Sequence, residues 1–316
     1  MTSQSMRYSV IIPHFNDADR LERLLLTIPV ARRDLEVLVV DDCSPNQPAL
    51  EVVKSRWSMV TWLSTPRNAG AGAARNIGLD HARGDRLLFS DSDDEFLPGA
   101  FERFDEHVGD EDDLVYFLAD AVQEVDGSPS NRADRLNALC MEYHDDPSDR
   151  NLSQLRVGHV VPVAKVYSRV FIDKCGVRFE ETPVSNDVVF NVLAAVQARH
   201  VRVQPVTVYR IHRRPKSLTS NPSPEAFLVR VGVKARLASA LKALGIKDIP
   251  SATGWMVASF SYGPRTAFRT WWLCLTSDMR IDVFRVFQFG RWKNFVVGRQ
   301  ADRAEKKAAE SSRGHR

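Results

Sequence analysis

The sequence predicts an α/β protein with a mostly parallel sheet sandwiched by helices, followed by a helical C-terminal extension. Three observations carry that expectation. Over the first 120 residues, short and continuously apolar runs alternate with helix-periodic stretches, the pattern of parallel strands covered on both faces. The charge changes sign along the chain: residues 1–220 hold 26 basic against 33 acidic side chains, net −7, and residues 221–316 hold 17 against 7, net +10. Apolar residues make up 44% of the 316, enough to bury a large core.

The elements follow in order. Tyr8–Pro13 (YSVIIP) is a β-branched run stopped by proline, and Asp19–Ile28 sets Leu21, Leu24, Leu25 and Ile28 at helical spacing. Leu35–Val40 (LEVLVV) is a second buried strand, with a helix over Pro48–Trp57. Val60–Leu63 is a third strand, followed by a helix over Gly70–Ala82 whose first turn holds only small residues. Arg86–Phe89 (RLLF) is a fourth, with a helix over Pro98–His107. Leu114–Val125 reads as more than one strand, Val184–Ala198 as helix, and Val201–Tyr209 as a strand running into a basic loop, Arg210–Ser217. Pro222 and Pro224 mark a boundary, beyond which the pattern is helical to a polar, frayed tail over Ala301–Arg316. The expected division is therefore an α/β part, 1–220, itself divided at about 120, and a basic, aromatic-rich helical extension, 221–316.

Composition also narrows the class. Four cysteines lack any C-x-x-C spacing, so free thiols are expected, not disulfides or a zinc site. Met1–Arg7 has no apolar signal-peptide core and no run of 18 apolar residues occurs, so a cytoplasmic chain is expected.

In a doubly wound sheet, ligands collect beyond the carboxyl ends of the strands. Pro13-His14-Phe15-Asn16 follows the first strand, Asp41-Asp42-Cys43-Ser44 the second, Arg67-Asn68-Ala69-Gly70 the third and Asp91-Ser92-Asp93-Asp94 the fourth. Carboxylates crowded at one strand end repel unless a cation neutralises them. Mg²⁺ or Mn²⁺ takes oxygen ligands and characteristically shares them with substrate phosphates. Asp41 and Asp42 have no glycine-rich loop beside them and suit hydrogen bonds from a base or ribose. Arg75, on the helix that starts near Gly70, suits a diphosphate.

The runs VIIPHFN, VVDDCSP, RNAGAGAARNIGL and LLFSDSDDEFLP resemble, in order and spacing, the family 2 glycosyltransferases of the GT-A fold; the likeness is specific over residues 8–98 and weaker to about 220. The resemblance implies that 1–220 is a catalytic domain, with about 1–120 binding the donor and 121–220 on the acceptor side, and it implies a nucleotide-diphosphate-sugar donor, a UDP-sugar for choice, and a divalent metal, Mn²⁺ or Mg²⁺. It implies nucleotide contacts from Pro13, Phe15, Asn16, Asp41, Asp42, Asn68, Arg75 and Ser92. Asp91-Ser92-Asp93 resembles the family's D-x-D motif, with Asp93 and Asp91 as metal ligands. Cys43 departs from the family, where glycine is common. Ser185-Asn186-Asp187-Val188-Val189-Phe190 resembles E-D-x-x-F, with Asp187 as the catalytic base and Asn186 departing from the first acid. A base facing the leaving group implies one displacement with inversion. Tyr209-Arg210-Ile211-His212 with Ser217 resembles Y-R-x-H-x-x-S, despite an inserted Arg-Arg-Pro-Lys stretch; it implies a basic loop closing on the diphosphate through Arg210 and Ser217, with His212 at the metal or a phosphate.

The acceptor is expected to be a saccharide or lipid-linked glycan in surface polysaccharide synthesis, with specificity around Leu114–Val125 and Gly158–Lys165. Residues 255–300 mix Trp and Phe with Arg265, Arg269, Arg280, Arg285, Arg291, Lys293 and Arg299. That composition fits either helices packed on the catalytic part or peripheral contact with an anionic membrane, and no nucleic-acid module accompanies it. Two rivals are weaker. A sugar nucleotidyltransferase needs a glycine-rich loop where His14-Phe15-Asn16 stands, and a non-catalytic relative would lack Asp91, Asp93 or Asp187.

Overall fold

A computed structural model describes residues 6–214 and 223–282. Eight strands form one sheet in the order β3-β2-β1-β4-β7-β6-β8-β5. They are β1 (Tyr8–His14), β2 (Leu35–Asp41), β3 (Thr61–Ser64), β4 (Arg86–Phe89), β5 (Glu95–Phe96), β6 (Leu114–Gln123), β7 (Lys165–Ser168) and β8 (Val201–Arg213). β1 to β4 are mutually parallel, so their carboxyl ends share one rim. β7 runs against both β4 and β6, β6 and β8 are parallel, and β5 closes the far edge antiparallel to β8. A mostly parallel sheet between helical layers is the expected class.

The helices form where the apolar spacing requires. On α1 (Ala18–Leu25), Leu21, Leu24 and Leu25 lie on one face and are fully buried, each contributing about 1.5–3 kcal/mol of transfer free energy. α2 (Gln47–Arg56) buries Leu50 and Val53. α3 (Ala71–His81) lies close on the sheet: a Cβ on Gly78 would sit 2.4 Å from a methyl of Ile11, and one on Gly72 would sit 2.0 Å from the carbonyl of Glu180. The small first turn is therefore a requirement of close approach. α4 (Ala100–His107) seats Phe101 and Phe104 against Tyr8 and Phe96.

The second half departs from expectation in three places. Leu114–Gln123 is a single strand, and β8 continues through Arg213, so Arg210–Arg213 is strand and not loop. The continuation is held by register pairs from Asp120↔Arg210 to Gln123↔Arg213. β7 and three helices, α5 (Asp134–Asp145), α6 (Asp149–Gly158) and α7 (Arg169–Cys175), fill the stretch left unassigned. α8 (Val188–Gln197) carries the expected apolar helix.

The extension holds α9 (Pro224–Ala243), α10 (Thr253–Ala258) and α11 (Pro264–Thr276). α9 packs on α8 through Val233, Leu237 and Leu241 against Val188 and Val192. The aromatic residues divide: Tyr262 stacks on Phe227 and Trp255 packs against it at a tilt, whereas Phe260, Phe268 and Trp272 face solvent. Exposed Arg265 and Arg269 lie beside Phe268 and Trp272 on α11, and Arg280 pairs with Asp282. The basic and aromatic positions 284–299 lie outside the described residues. All four cysteines are free. Among the described residues no helix is long and apolar enough to cross a membrane.

Candidate active site

The rim is built around Asp91, Asp93 and Asp94, in the turn after β4, whose ligand oxygens lie within 4.8 Å of one another. The start of the turn is fixed by Tyr209 of β8, whose hydroxyl accepts from the Asp91 amide at 3.1 Å and lies 2.9 Å from the Ser90 hydroxyl. Asp94 is buried and accepts from the His212 amide at 2.9 Å. Burial, then the Asp93 and Asp91 charges, push its carboxyl well above the ordinary range. Burial and Asp91 raise Asp93 as well, against the opposing pull of Arg214. Three oxygens of one sign this close, two of them short of solvent, suit a hard divalent cation.

Arg214 already offers Asp93 a positive charge. Its guanidinium pairs with the Asp93 carboxylate and, at 3.1 Å, with Asp17. Asp17 is held by Arg20 at 2.7 Å, Arg20 also pairs with Glu124, and Arg23 spans Glu124, Glu95 and the Asp93 carbonyl. The β1–α1 loop, β6, β8 and the acidic turn are thus joined by one chain of charges.

The second centre is Arg75 of α3. It is buried, donates to Asp91 Oδ1 at 2.5 Å and to Asn186 Oδ1 at 2.9 Å, and lies over the Phe179 ring at 5.3 Å. One side chain therefore ties the acidic turn to the segment before α8. Asn186, where the family motif has an acid, receives Arg75 as a neutral acceptor, and Asp91 supplies the counter-charge. Asp187 follows, half-buried at the start of α8. Burial raises its carboxyl, Arg75 opposes the shift and Asp91 adds to it.

At β2, the Asp42 carboxylate accepts from the Thr65 hydroxyl at 2.8 Å and from the Ala69 and Gly70 amides at 2.8 and 2.7 Å. It sits at the N-terminus of α3, where donors and dipole favour an anion. Asp41 accepts from the Ser44 amide and hydroxyl and from Gln47 Nε2 at 3.2 Å. Both carboxylates are buried and first shape their own loops. Cys43, the next residue after Asp42, has φ +57°, the left-handed region that accounts for glycine at this point in the family. Asn16, at φ +51°, donates its amide to Ser44 at 2.7 Å. Phe15 is 48% exposed beside it, Pro13 lies opposite Val40 one residue before the end of β1, and Asn68 and Ser92 reach the surface wholly or in part.

Two expected residues lie apart from the acidic group. The His212 ring stands 3.4 Å from Glu95 and is not among the clustered ligands; Asp94 is. Arg210 pairs with Asp120, its register partner across β6 and β8, at 2.7 Å. Ser217 lies outside the described residues. Sequence reasoning missed Arg214, Asp17 and Glu124, whose proximity arises only when β8 crosses to the β1 loop. The third aspartate of the S-D-S-D-D run was the available signal for Asp94.

Comparison with known proteins adds the following. Residues 9–176 match the model of glycosyl transferase family 2. The chain is 28% identical over 236 residues to the poly(ribitol-phosphate) β-N-acetylglucosaminyltransferase TarS of Staphylococcus aureus, covering 70% of this chain and 39% of TarS. It is 26% identical over 217 residues to the succinoglycan biosynthesis protein ExoO of Rhizobium meliloti, covering 66% of this chain and 61% of ExoO. The chain thus spans well under half the length of TarS. Among solved structures, S. aureus TarS 1–349 in complex with UDP-GlcNAc superposes with a TM-score of 0.56 at 24% identity, over 74% of this chain and 66% of that one. The mannosyltransferase PcManGT of Pyrobaculum calidifontis, in complex with GDP-Man and Mn²⁺, gives a TM-score of 0.51 at 15% identity over 87% and 73%. These structural likenesses bear on the fold, which is GT-A.

Proposed function

The chain belongs to glycosyl transferase family 2, and from that premise we propose that it transfers a sugar from a nucleoside-diphosphate donor to an acceptor hydroxyl by single displacement with inversion. The observation that carries the reading is Arg75, which holds Asp91 of the acidic turn and Asn186, next to Asp187, at 2.5 and 2.9 Å. A leaving-group site and a base are thereby kept on one guanidinium.

Asp187 takes the hydroxyl proton of the acceptor as that oxygen bonds to the anomeric carbon, while the bond to the diphosphate oxygen breaks and the nucleoside diphosphate leaves with the electron pair. Burial moves its pKa upward, the direction that makes a carboxylate a better base, and the Arg75 charge opposes that shift. Asp91, Asp93 and Asp94 would hold Mn²⁺ or Mg²⁺, which supplies charge stabilisation for the departing diphosphate. On the nucleotide side, Asp42 fixes the loop that leads into α3 through the Ala69 and Gly70 amides, Phe15 offers an exposed ring and Asn16 a left-handed turn beside the rim. The UDP-GlcNAc in the TarS complex makes a UDP-sugar the first donor to try.

The acceptor in this reading is a saccharide or lipid-linked glycan of a polymer-building route; TarS is named for transfer to poly(ribitol-phosphate) and ExoO for succinoglycan biosynthesis. A lipid-linked acceptor fits the outer face of α11. Phe268, Trp272 and Leu275, at i, i+4 and i+7, are all more than 60% exposed, with Arg265 and Arg269 alongside. That combination suits the interface of an anionic membrane, at whose inner face the enzyme would work.

The deciding experiment is Asp187→Asn with a UDP-sugar and Mn²⁺. Turnover should fall about 10²–10⁴-fold while donor affinity by calorimetry stays within about twofold, because a base acts only in the transition state. NMR of the product should show the anomeric configuration opposite to the donor. Retained turnover, lost donor binding or retained configuration would each overturn the reading.

A further inference from the structure

A lysine stands deep in the core behind the proposed base. Lys165, the first residue of β7, is 1% exposed. Its Nζ donates to the His159 carbonyl at 2.8 Å and to Asn191 Oδ1 at 2.9 Å, and lies 4.8 Å from the centre of the Tyr116 ring. Asn191 is fully buried in the second turn of the otherwise apolar helix α8. Its Oδ1 also accepts from the Tyr167 hydroxyl at 2.7 Å, and its Nδ2 donates to the backbone carbonyl of Asp187 at 2.9 Å. The Asn191 amide donates to the same carbonyl at 3.0 Å.

A buried ammonium is costly unless its hydrogens are used. Burial pushes Lys165 down to about 7, with Cys140 and Asp187 pulling it back up. Packing alone does not explain it, since methionine would fill the same space against the Tyr116 ring without that cost. The hydrogen bonds have a direction, however. They lead from β7, the strand beside β4 and its acidic turn, through one amide group, to the residue that carries the base. Asn191 can bond the Asp187 carbonyl only with Nδ2, and Lys165 and Tyr167, as two donors, select that orientation by claiming Oδ1.

We propose that Lys165 is a positioning residue for the transfer reaction: through Asn191 it fixes the backbone of Asp187, and so the direction of the base, relative to the acidic turn. This rests on Asp187 being the base. Lys165 touches no substrate. Its loss leaves the donor site intact and lets the first turn of α8 move, so the effect belongs in turnover and not in binding.

The test uses the full chain, Mn²⁺, and whichever UDP-, GDP- or dTDP-sugar raises the melting temperature most, with nucleoside diphosphate release as the readout. Lys165→Met removes the donors at constant volume. Asn191→Asp keeps the Lys165 and Tyr167 bonds, adds a counter-charge and deletes only the Nδ2 donor to Asp187, so it carries the test should Lys165→Met fail to fold. Each is expected to lower kcat by on the order of 10–100-fold with KM within about twofold. In an Asp187→Asn background, with enzyme in excess, neither should lower the rate further, because no base remains to be aimed. Equal losses in both backgrounds, a change confined to KM, or a folded variant at full rate would overturn the proposal. An inactive Asp187→Asn beside a fully active Lys165→Met removes the positioning role alone. Full activity of Asp187→Asn removes the base reading and the role with it.

Discussion

Gly72→Ala tests whether the site depends on how closely α3 approaches the segment before α8. The new Cβ would lie 2.0 Å from the Glu180 carbonyl oxygen and 3.0 Å from the Asn186 Cβ, where ordinary contact begins at 3.4 Å. Both neighbours are main chain or directly attached to it, so neither can swing aside, and α3 must retreat by about 1.4 Å. Overpacking of this kind costs about 1–3 kcal/mol, which for a chain of this size lowers the melting temperature by roughly 1.5–4.5 °C. The catalytic effect should exceed the thermal one. Arg75 rides on the same helix, one turn on, and its bonds to Asp91 and Asn186 cannot both survive such a shift. A misplacement near 1 Å is worth on the order of 100-fold in rate. Thermal melts and steady-state nucleotide release from a UDP-sugar with Mn²⁺ read the two effects separately. A variant with the melting point and turnover of the parent would refute the close-approach account.

Three further outcomes are expected. Glu36 is buried, which alone would raise its pKa, but the Ser9 hydroxyl and the amide and guanidinium of Arg83 hold it below the ordinary range. Its contribution is therefore present above about pH 4.3 and fades as pH falls through the lowered value. Glu36→Gln should cost about 1–3 kcal/mol at pH 7 by urea denaturation and progressively less below pH 4, and a gap that does not vary with pH would contradict this. Asp93→Asn should weaken Mn²⁺ binding by at least about tenfold in calorimetry, and unchanged affinity would remove Asp93 from the ligand set. Phe268→Ser with Trp272→Ser should abolish flotation with phosphatidylserine vesicles while leaving donor hydrolysis in solution intact, and equal flotation would take α11 off the membrane.

How much of this was legible depends on what each segment shows to a linear reading. The first four strands are short and mainly apolar, and their parallel order brings the four strand-end motifs to one rim. The acidic turn and Arg75 could therefore be named before any coordinates, and Asp187 through its likeness to the E-D-x-x-F motif. The middle of the chain gave weaker signals. α5 and α6 bury one residue each, Cys140 and Leu155, so neither carries an apolar stripe. β7 is four residues long and opens on a lysine that is polar in sequence and core in space. Arg210 and His212 look like a basic loop because Arg213 and Arg214 follow. Pairing with β6 and β5 makes them strand and directs their side chains to Asp120 and Glu95. Which cation meets Asp93 is a question of long-range topology, and no local pattern encodes it.

The seam between α8 and α9 bears on how the chain may be divided. Val233, Leu237 and Leu241 cover Val188 and Val192, and Arg236 clasps Glu180 from the same side. A gene shortened near codon 220 would strip the roof from the helix that carries the proposed base and expose a strip of bare hydrocarbon. Chimaeras that exchange acceptor preference between relatives should therefore move the twenty residues of α9 along with α8, as one inherited piece.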